Sequence, residues 1–230
     1  MAITAANLKF YQSTTWSDAA GNGGDISASE ITSASSQNIF PNITDAERTS
    51  GVTKYKKIFL KNLNTDAYNN VHAWIYANTP DTQTAVTIVA GGKVSTQGTD
   101  TAVGTLTFTF AASTSVIASA DCHQYLAVGE LIWNSTDDTN TKKQAITVIS
   151  ADGLTITIGG SYAGTTGAGK AATVQKITDS TFVTAINEGA GVSLGNLIQN
   201  EYRAIWIKLV VDASSDGYTD DTFTIRVSNS

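Results

Sequence analysis

The sequence is poor in the residues that most often support covalent and metal chemistry. Cysteine occurs once and histidine twice among 230 residues. No disulfide can close within the chain, and a zinc centre of three or four Cys and His ligands has too few donors. Proline occurs only twice, so turns must come from Gly, Asn, Asp and Ser. Charged residues make up 15% of the chain and hydrophobic ones 41%, which places it with globular proteins rather than charge-rich disordered chains. Positive charge is also short. Fourteen Lys and Arg face twenty Asp and Glu, for a net charge of −6 and a pI near 4.8. That balance opposes docking on a phosphate backbone or an anionic bilayer, so neither nucleic acid nor membrane is an expected partner. No apolar run approaches a membrane span, and "MAITAANLKFYQ" lacks the basic and apolar regions of a secretory signal. The expectation is a chain made in a cytoplasm and stabilised by packing, partly between subunits.

Helical periodicity is nearly absent. Its best instance is "TDAERTSG" (44–51), where Thr44 and Glu47 have capping-box spacing and Gly51 can end the turn. Alternation with a period of two is common instead. "KYKKIFLKNL" puts Ile58 and Leu60 on one face, and "VHAWIYAN" puts Val71, Ala73 and Ile75 opposite His72, Trp74 and Tyr76. "TLTFTF" aligns Leu106, Phe108 and Phe110 against threonines, and "LTITI" aligns Leu154, Ile156 and Ile158. "NEYRAIWIKLVV" places Ile205, Ile207, Leu209 and Val211 on one face and Ala204, Trp206, Lys208 and Val210 on the other. "FTIRV" (223–227) is a last short strand. Turn clusters separate these runs, including an Asp152-Gly153 hairpin signal. The predicted fold is all-β: an antiparallel β-sandwich with a second, inserted small β-barrel domain. Composition turns threonine-, glycine- and alanine-rich at "GGKVSTQG" and turns back at "KITDST". This predicts a discontinuous sandwich from 1–92 and 179–230, with 93–178 inserted at an exposed turn.

The opening "LKFYQSTTW…GGDIS…EITSASSQNIFPNITDAERTSGVTKYKKIFLKNLNTDAYNNVHAWIYANTPD" and the close "LGNLIQNEYRAIWIKLVVDASSDGYTDDTFTIRV" resemble a family of structural proteins from tailed bacteriophages. The likeness rests on an "LKFY-S" start, an "EI" segment, a "G-x-x-x-Y" lead into a strand ending "KN", and a final "W-(V/I)-(R/K)" strand. It covers roughly 1–90 and 182–228. The middle, "YLAVGELIW…AITVISADGLTITIGGSYAGTTGAGKA", resembles small β-barrel modules of phage head and tail proteins. The resemblance implies a virion protein assembled in the bacterial cytoplasm, and it carries no catalytic residues. Its expected place is the capsid exterior, as a decoration or cement protein that contacts itself and other virion proteins such as the major capsid protein. A tail or baseplate position and a receptor- or glycan-binding module remain as alternatives.

Candidate chemistry is sparse. "GTTGAGKA" (164–171) matches phosphate-loop spacing through Gly164, Gly169 and Lys170, but Ala171 stands where Ser or Thr would hold Mg²⁺. "AATVQKI" then reads as a strand where the motif needs a helix N-terminus. "DASSDGYTDD" sets Asp212, Asp216 and Asp220 in part of a calcium-loop register, but Phe223 replaces the bidentate acid. Cys122 and His123 are adjacent and so diverge on a strand, and His72 lies in the other expected domain. Asp137 and Asp138 read as a loop tip. No enzyme, cofactor or metal is expected. What remains are the aromatics: Trp16, Trp74, Trp133, Trp206, Tyr11, Tyr55, Tyr68, Tyr76 and Tyr202. The interface candidates are Trp74, Tyr76, Tyr202, Trp206 and Lys208. For Trp74 and Trp206, packing within the chain, contact between subunits and a sugar platform all stay open.

Overall fold

A computed structural model of the chain describes residues 4–19, 22–35, 37–91, 100–123, 125–137, 142–175, 182–217 and 221–229. The chain divides into two compact units, Met1–Ala90 with Phe182–Ser230, and Gly91–Thr181. These breaks, at 90/91 and 181/182, compare with 92/93 and 178/179 expected from composition.

The first unit is a sandwich. Its strands are β1 (Leu8–Thr15), β2 (Gly23–Glu30), β3 (Val52–Asn62), β4 (Tyr68–Ala77) and β5 (Thr84–Gly91), followed after the insertion by β12 (Val192–Leu197), β13 (Tyr202–Val211) and β14 (Thr224–Asn229). They form a five-stranded sheet in the order β2-β1-β3-β13-β5 and a three-stranded sheet in the order β12-β4-β14. The alternation visible in the sequence sets the core. Ile58, Leu60, Ile205, Ile207 and Leu209 of the wide sheet share one buried cluster with Val71, Ala73 and Ile75 of the narrow one. Three strands have less surface than five. The segment between β2 and the short helix contributes Ile31, Ile39, Phe40 and Ile43 to the same cluster, with the Phe40 ring 6.2 Å from that of Phe223.

The one α-helix among the described residues, α1 (Asp45–Ser50), has the expected capping box. The Thr44 hydroxyl accepts from the Glu47 N–H at 3.3 Å, and the Glu47 carboxylate accepts from the Thr44 N–H at 2.8 Å. Gly51 ends the helix at φ +74°, a conformation that favours glycine. The other Glu47 oxygen lies 2.8 Å from Lys54 Nζ, and that contact, followed by the Thr44 N–H, holds the carboxyl below its usual range.

The second unit is a closed barrel of β6 (Asp100–Phe110), β7 (Ser115–Ala118), β8 (Leu131–Asn134), β9 (Gln144–Ile149), β10 (Thr155–Ile158) and β11 (Gly167–Gln175), in the cyclic order β10-β7-β6-β11-β8-β9. Closure removes the free edges that a six-stranded sheet would otherwise expose. Phe108, Phe110, Val116, Ile132, Ile146, Ile156, Ile158 and Val174 fill it. Leu154 departs from its expected face. It belongs to the β9–β10 turn and is exposed, because β10 begins only at Thr155. In that turn Gly153 has φ +69°, and a Cβ there would stand 1.9 Å from Asp121 Oδ1.

A polar latch closes one end of the barrel. The Tyr162 hydroxyl donates to Asp137 and accepts from the Asn134 N–H at 2.8 Å. The Asp137 carboxylate also accepts from the Thr165 N–H at 2.9 Å. Burial alone would raise the Asp137 carboxyl, but the hydrogen bonds from Thr165 and Tyr162 outweigh it and hold the group below the usual range. A depressed carboxyl contributes stability above its unfolded pKa, about 3.9 for aspartate, and that stability is lost as pH falls through the folded value. Asp137→Asn should therefore destabilise the barrel at neutral pH. The gap to wild type should hold down to about pH 5 and narrow as pH falls below the unfolded value and through the lower folded one, read by hydrogen exchange of barrel amides.

Every pairing of β3 and β13 joins residues of the first unit. Replacing 93–178 with a short Gly/Ser linker should thus leave a cooperative thermal transition, since a shorter loop costs little closure entropy. Loss of that transition in the linker protein alone would show that the sandwich needs the insertion.

Candidate protein-interaction surface

β13 pairs with β3 over ten residues, with Ile205 opposite Ile58 and Trp206 opposite Lys57. Its first face enters the sandwich core as the alternation predicts. For the second face the sequence leaves packing within the chain, subunit contact and a sugar platform open, and the structure packs it within the chain. Ala204 is buried and Trp206 is 0% exposed. Residues remote in sequence cover it. Lys57 Nζ lies 5.6 Å from the Trp206 ring and 5.1 Å from that of Phe59, and donates to the Gly24 carbonyl at 2.8 Å. Tyr202 sets its ring edge on Phe59 at 5.6 Å and donates its hydroxyl to Asp25 at 3.0 Å. Phe182 packs 6.0 Å from Tyr55 and 5.9 Å from Lys208 Nζ. Trp206 is therefore packed within the chain, and Tyr202 and Lys208 are half-buried in the same layer. The sequence pattern could not reveal this, because the covering groups come from the start of β2, from β3 and from Phe182.

On β3, alternation puts Lys54 and Lys56 on the face of Ile58, and both are nearly buried. Asp18 sits between them, 3.4 Å from Lys54 Nζ and 2.7 Å from Lys56 Nζ, and Lys56 also lies 4.4 Å over Trp16. The pairing makes buried ammonium groups tolerable and ties the β1–β2 connection to the sheet.

The narrow sheet is different. Trp74 is 9% exposed and joins the sandwich cluster, but its neighbour Tyr76 is 55% exposed. The guanidinium carbon of Arg226 lies 3.2 Å from the Tyr76 ring centroid. Arg226 stands opposite Trp74 in the β14–β4 register, on the sheet face that alternation also gives Tyr76. Ile75 donates its N–H to the Ala185 carbonyl at 2.7 Å. Ala185 is buried, and the next residue, Ile186, is 62% exposed. Tyr76 and Arg226 thus stack on each other, and the segment bonded to β4 on its other side carries the exposed Ile186. The aromatic was visible in the sequence. Arg226 and Ile186 were not singled out, although "FTIRV" already sets Arg226 out of phase with the apolar Ile225 and Val227.

The remaining candidates fall apart as chemistry. Residues 167–175, which include Gly169 and Lys170 of the phosphate-loop spacing, form β11, with Lys170 opposite Phe108. Cys122 is buried in the barrel, while the His123 ring meets Asp121 at 2.7 Å. His72 contacts the Asn70 carbonyl. Asp137 belongs to the latch, and Asp138 and Asp220 lie outside the described residues. Asp212 and Asp216 are exposed, and no group of three or more His, Cys, Asp or Glu able to hold a metal occurs among the described residues. Trp133 is buried beneath Lys143 at 4.7 Å. Tyr76 is the one exposed aromatic among the described residues.

No protein-family model, no curated protein and no solved structure matches the chain.

The two tryptophan-bearing strands and the exposed tyrosine make different demands. Trp206→Ala should cost about 3–5 kcal/mol of stability by emptying a packed layer. Tyr76→Ala should cost less than about 1 kcal/mol. Urea denaturation of both variants checks this, and equal losses would contradict the assignment of Tyr76 to the surface.

Proposed function

We propose that the chain is a structural protein of a tailed-bacteriophage virion, a capsid decoration or cement protein that acts by multivalent protein contact. The likeness of residues 1–90 and 182–228 to that family motivates the setting. The exposed patch of Tyr76, Arg226 and Ile186 carries the mechanism. Tyrosine and arginine are the residue types that most often anchor protein interfaces, and a stacked pair loses little further freedom on binding. The barrel offers a second, weaker surface. Ile117 lies opposite Thr155 and Val148 opposite Thr157, so two exposed apolar side chains flank a threonine pair on its outer wall. Modest contacts of this kind add through avidity when a protein is displayed in many copies. A sugar platform is less well supported, because Trp74 and Trp206 are buried and Arg226 already covers one face of the Tyr76 ring. The proposal includes the absence of enzymatic activity.

Virions imaged by negative stain after labelling with a gold-tagged antibody to this chain test the reading. Label over the head is expected. Label confined to the tail would replace decoration by a tail or baseplate role, and intact particles without label would remove the virion assignment.

A further inference from the structure

We infer that the Tyr76–Arg226–Ile186 patch docks the Asp212–Gly217 loop of a second copy of this chain. The inference names a partner for the contact surface proposed above and rests on that reading. It starts from how charge is distributed over the molecule. Lys9 pairs with Glu30, Arg48 with Asp45, Lys54 and Lys56 with Asp18, and Arg203 with Glu201. Lys61, Lys142, Lys170 and Lys208 are half-buried, whereas Arg226 is exposed and makes no ion pair or hydrogen bond with another described residue. Stacking on Tyr76 nevertheless holds it in place, with its N–H groups left to donate.

The acids show the complement. Asp25, Glu30, Asp45, Glu47, Asp81, Asp121, Asp137, Asp152 and Glu188 all accept bonds within the chain. Asp212 and Asp216 are the exposed carboxylates that accept none from any described residue. Their loop is also fixed in place. The Asp212 N–H donates to the Gln83 carbonyl at 2.9 Å, the Asp216 N–H to Gln83 Oε1 at 2.8 Å, and Arg48 donates to the Ser215 carbonyl at 3.1 Å. A preordered cation and a preordered acidic loop lie on one acidic chain, and neither has a partner of opposite charge among the described residues. A second copy supplies both partners at once, with low ordering cost and a charge-assisted bond between guanidinium and carboxylate. Ile186 and the Tyr76 ring edge give the contact its apolar centre. The two halves are different surfaces, so each contact leaves one half free on either copy. Association then continues until a ring or a dyad closes it.

Sedimentation velocity on the full chain at increasing concentration and salt tests the proposal. Wild type should self-associate, and more weakly as salt rises. Arg226→Glu alone, and Asp212→Lys with Asp216→Lys together, should each weaken self-association by at least about tenfold. An equimolar mixture of the two variants should associate again. The carboxylate introduced on one variant's patch then meets the lysine loop of the other, and the unaltered Arg226 of that other meets the native loop. Thermal melts establish that each variant is folded, and Arg226→Gln replaces Arg226→Glu if the latter is not. A wild type that stays monomeric at high concentration, a variant that associates like wild type, or a mixture that stays monomeric each overturns the proposal. These outcomes do not depend on where the protein sits in a particle, which the labelling experiment decides separately.

Discussion

The ten-residue antiparallel pairing of β3 with β13 is the constraint on which the sandwich depends. It joins segments separated by the whole insertion, and both strands are central in the wide sheet. Both faces of β13 are covered. One enters the sandwich core, and the other carries Trp206 beneath Lys57, which is bonded to the start of β2. A strand buried on both faces cannot slip by one residue without exchanging Ile205 and Ile207 for Trp206 and Lys208, so its register is tightly specified. The β1–β3 pairing, the Asp18 bridge to Lys54 and Lys56, and the Tyr202–Asp25 bond are all placed by it.

Several cations of this acidic chain serve its interior. Lys54, Lys56, Lys57 and Arg203 are almost wholly buried, and they lie against carboxylates, a carbonyl or aromatic rings. Such groups add little net stability over a well-packed apolar layer, but removing one partner leaves a buried charge uncompensated. They therefore specify where the β1–β2 connection must lie more than they strengthen it. At the outer surface Arg226 is exposed and several lysines, among them Lys61, Lys142 and Lys170, are half-buried.

The barrel settles the same problem by closure. Six strands form a cylinder, and the ends are held by local polar groups: Tyr162 and Asp137 at one loop, Asp121 and His123 against Gly153 at another. These bonds occupy the side chains that a catalytic reading would have needed. The aspartates and the histidine serve as loop ties, and the cysteine is a small core residue.

Much of the architecture was legible in the sequence because period-two alternation and turn chemistry are local. Ile58, Leu60, Phe108, Phe110, Ile156 and Ile205 are buried where alternation placed them, and the Thr44–Glu47 cap and the Asp152-Gly153 turn formed as their spacing implied. Leu154 was misplaced because a strand's first residue depends on where pairing begins. The site was less legible. Alternation assigns a side chain to a face but does not tell whether another segment covers that face. Trp206 and Tyr76 look alike in sequence, each a large aromatic out of phase with a core run. Only the tertiary structure decided that Gly24, Lys57 and Phe182 close over the layer of the first, while β14 brings a single arginine to the second. Local pattern determined which residues alternate, and long-range packing determined which of them meet water.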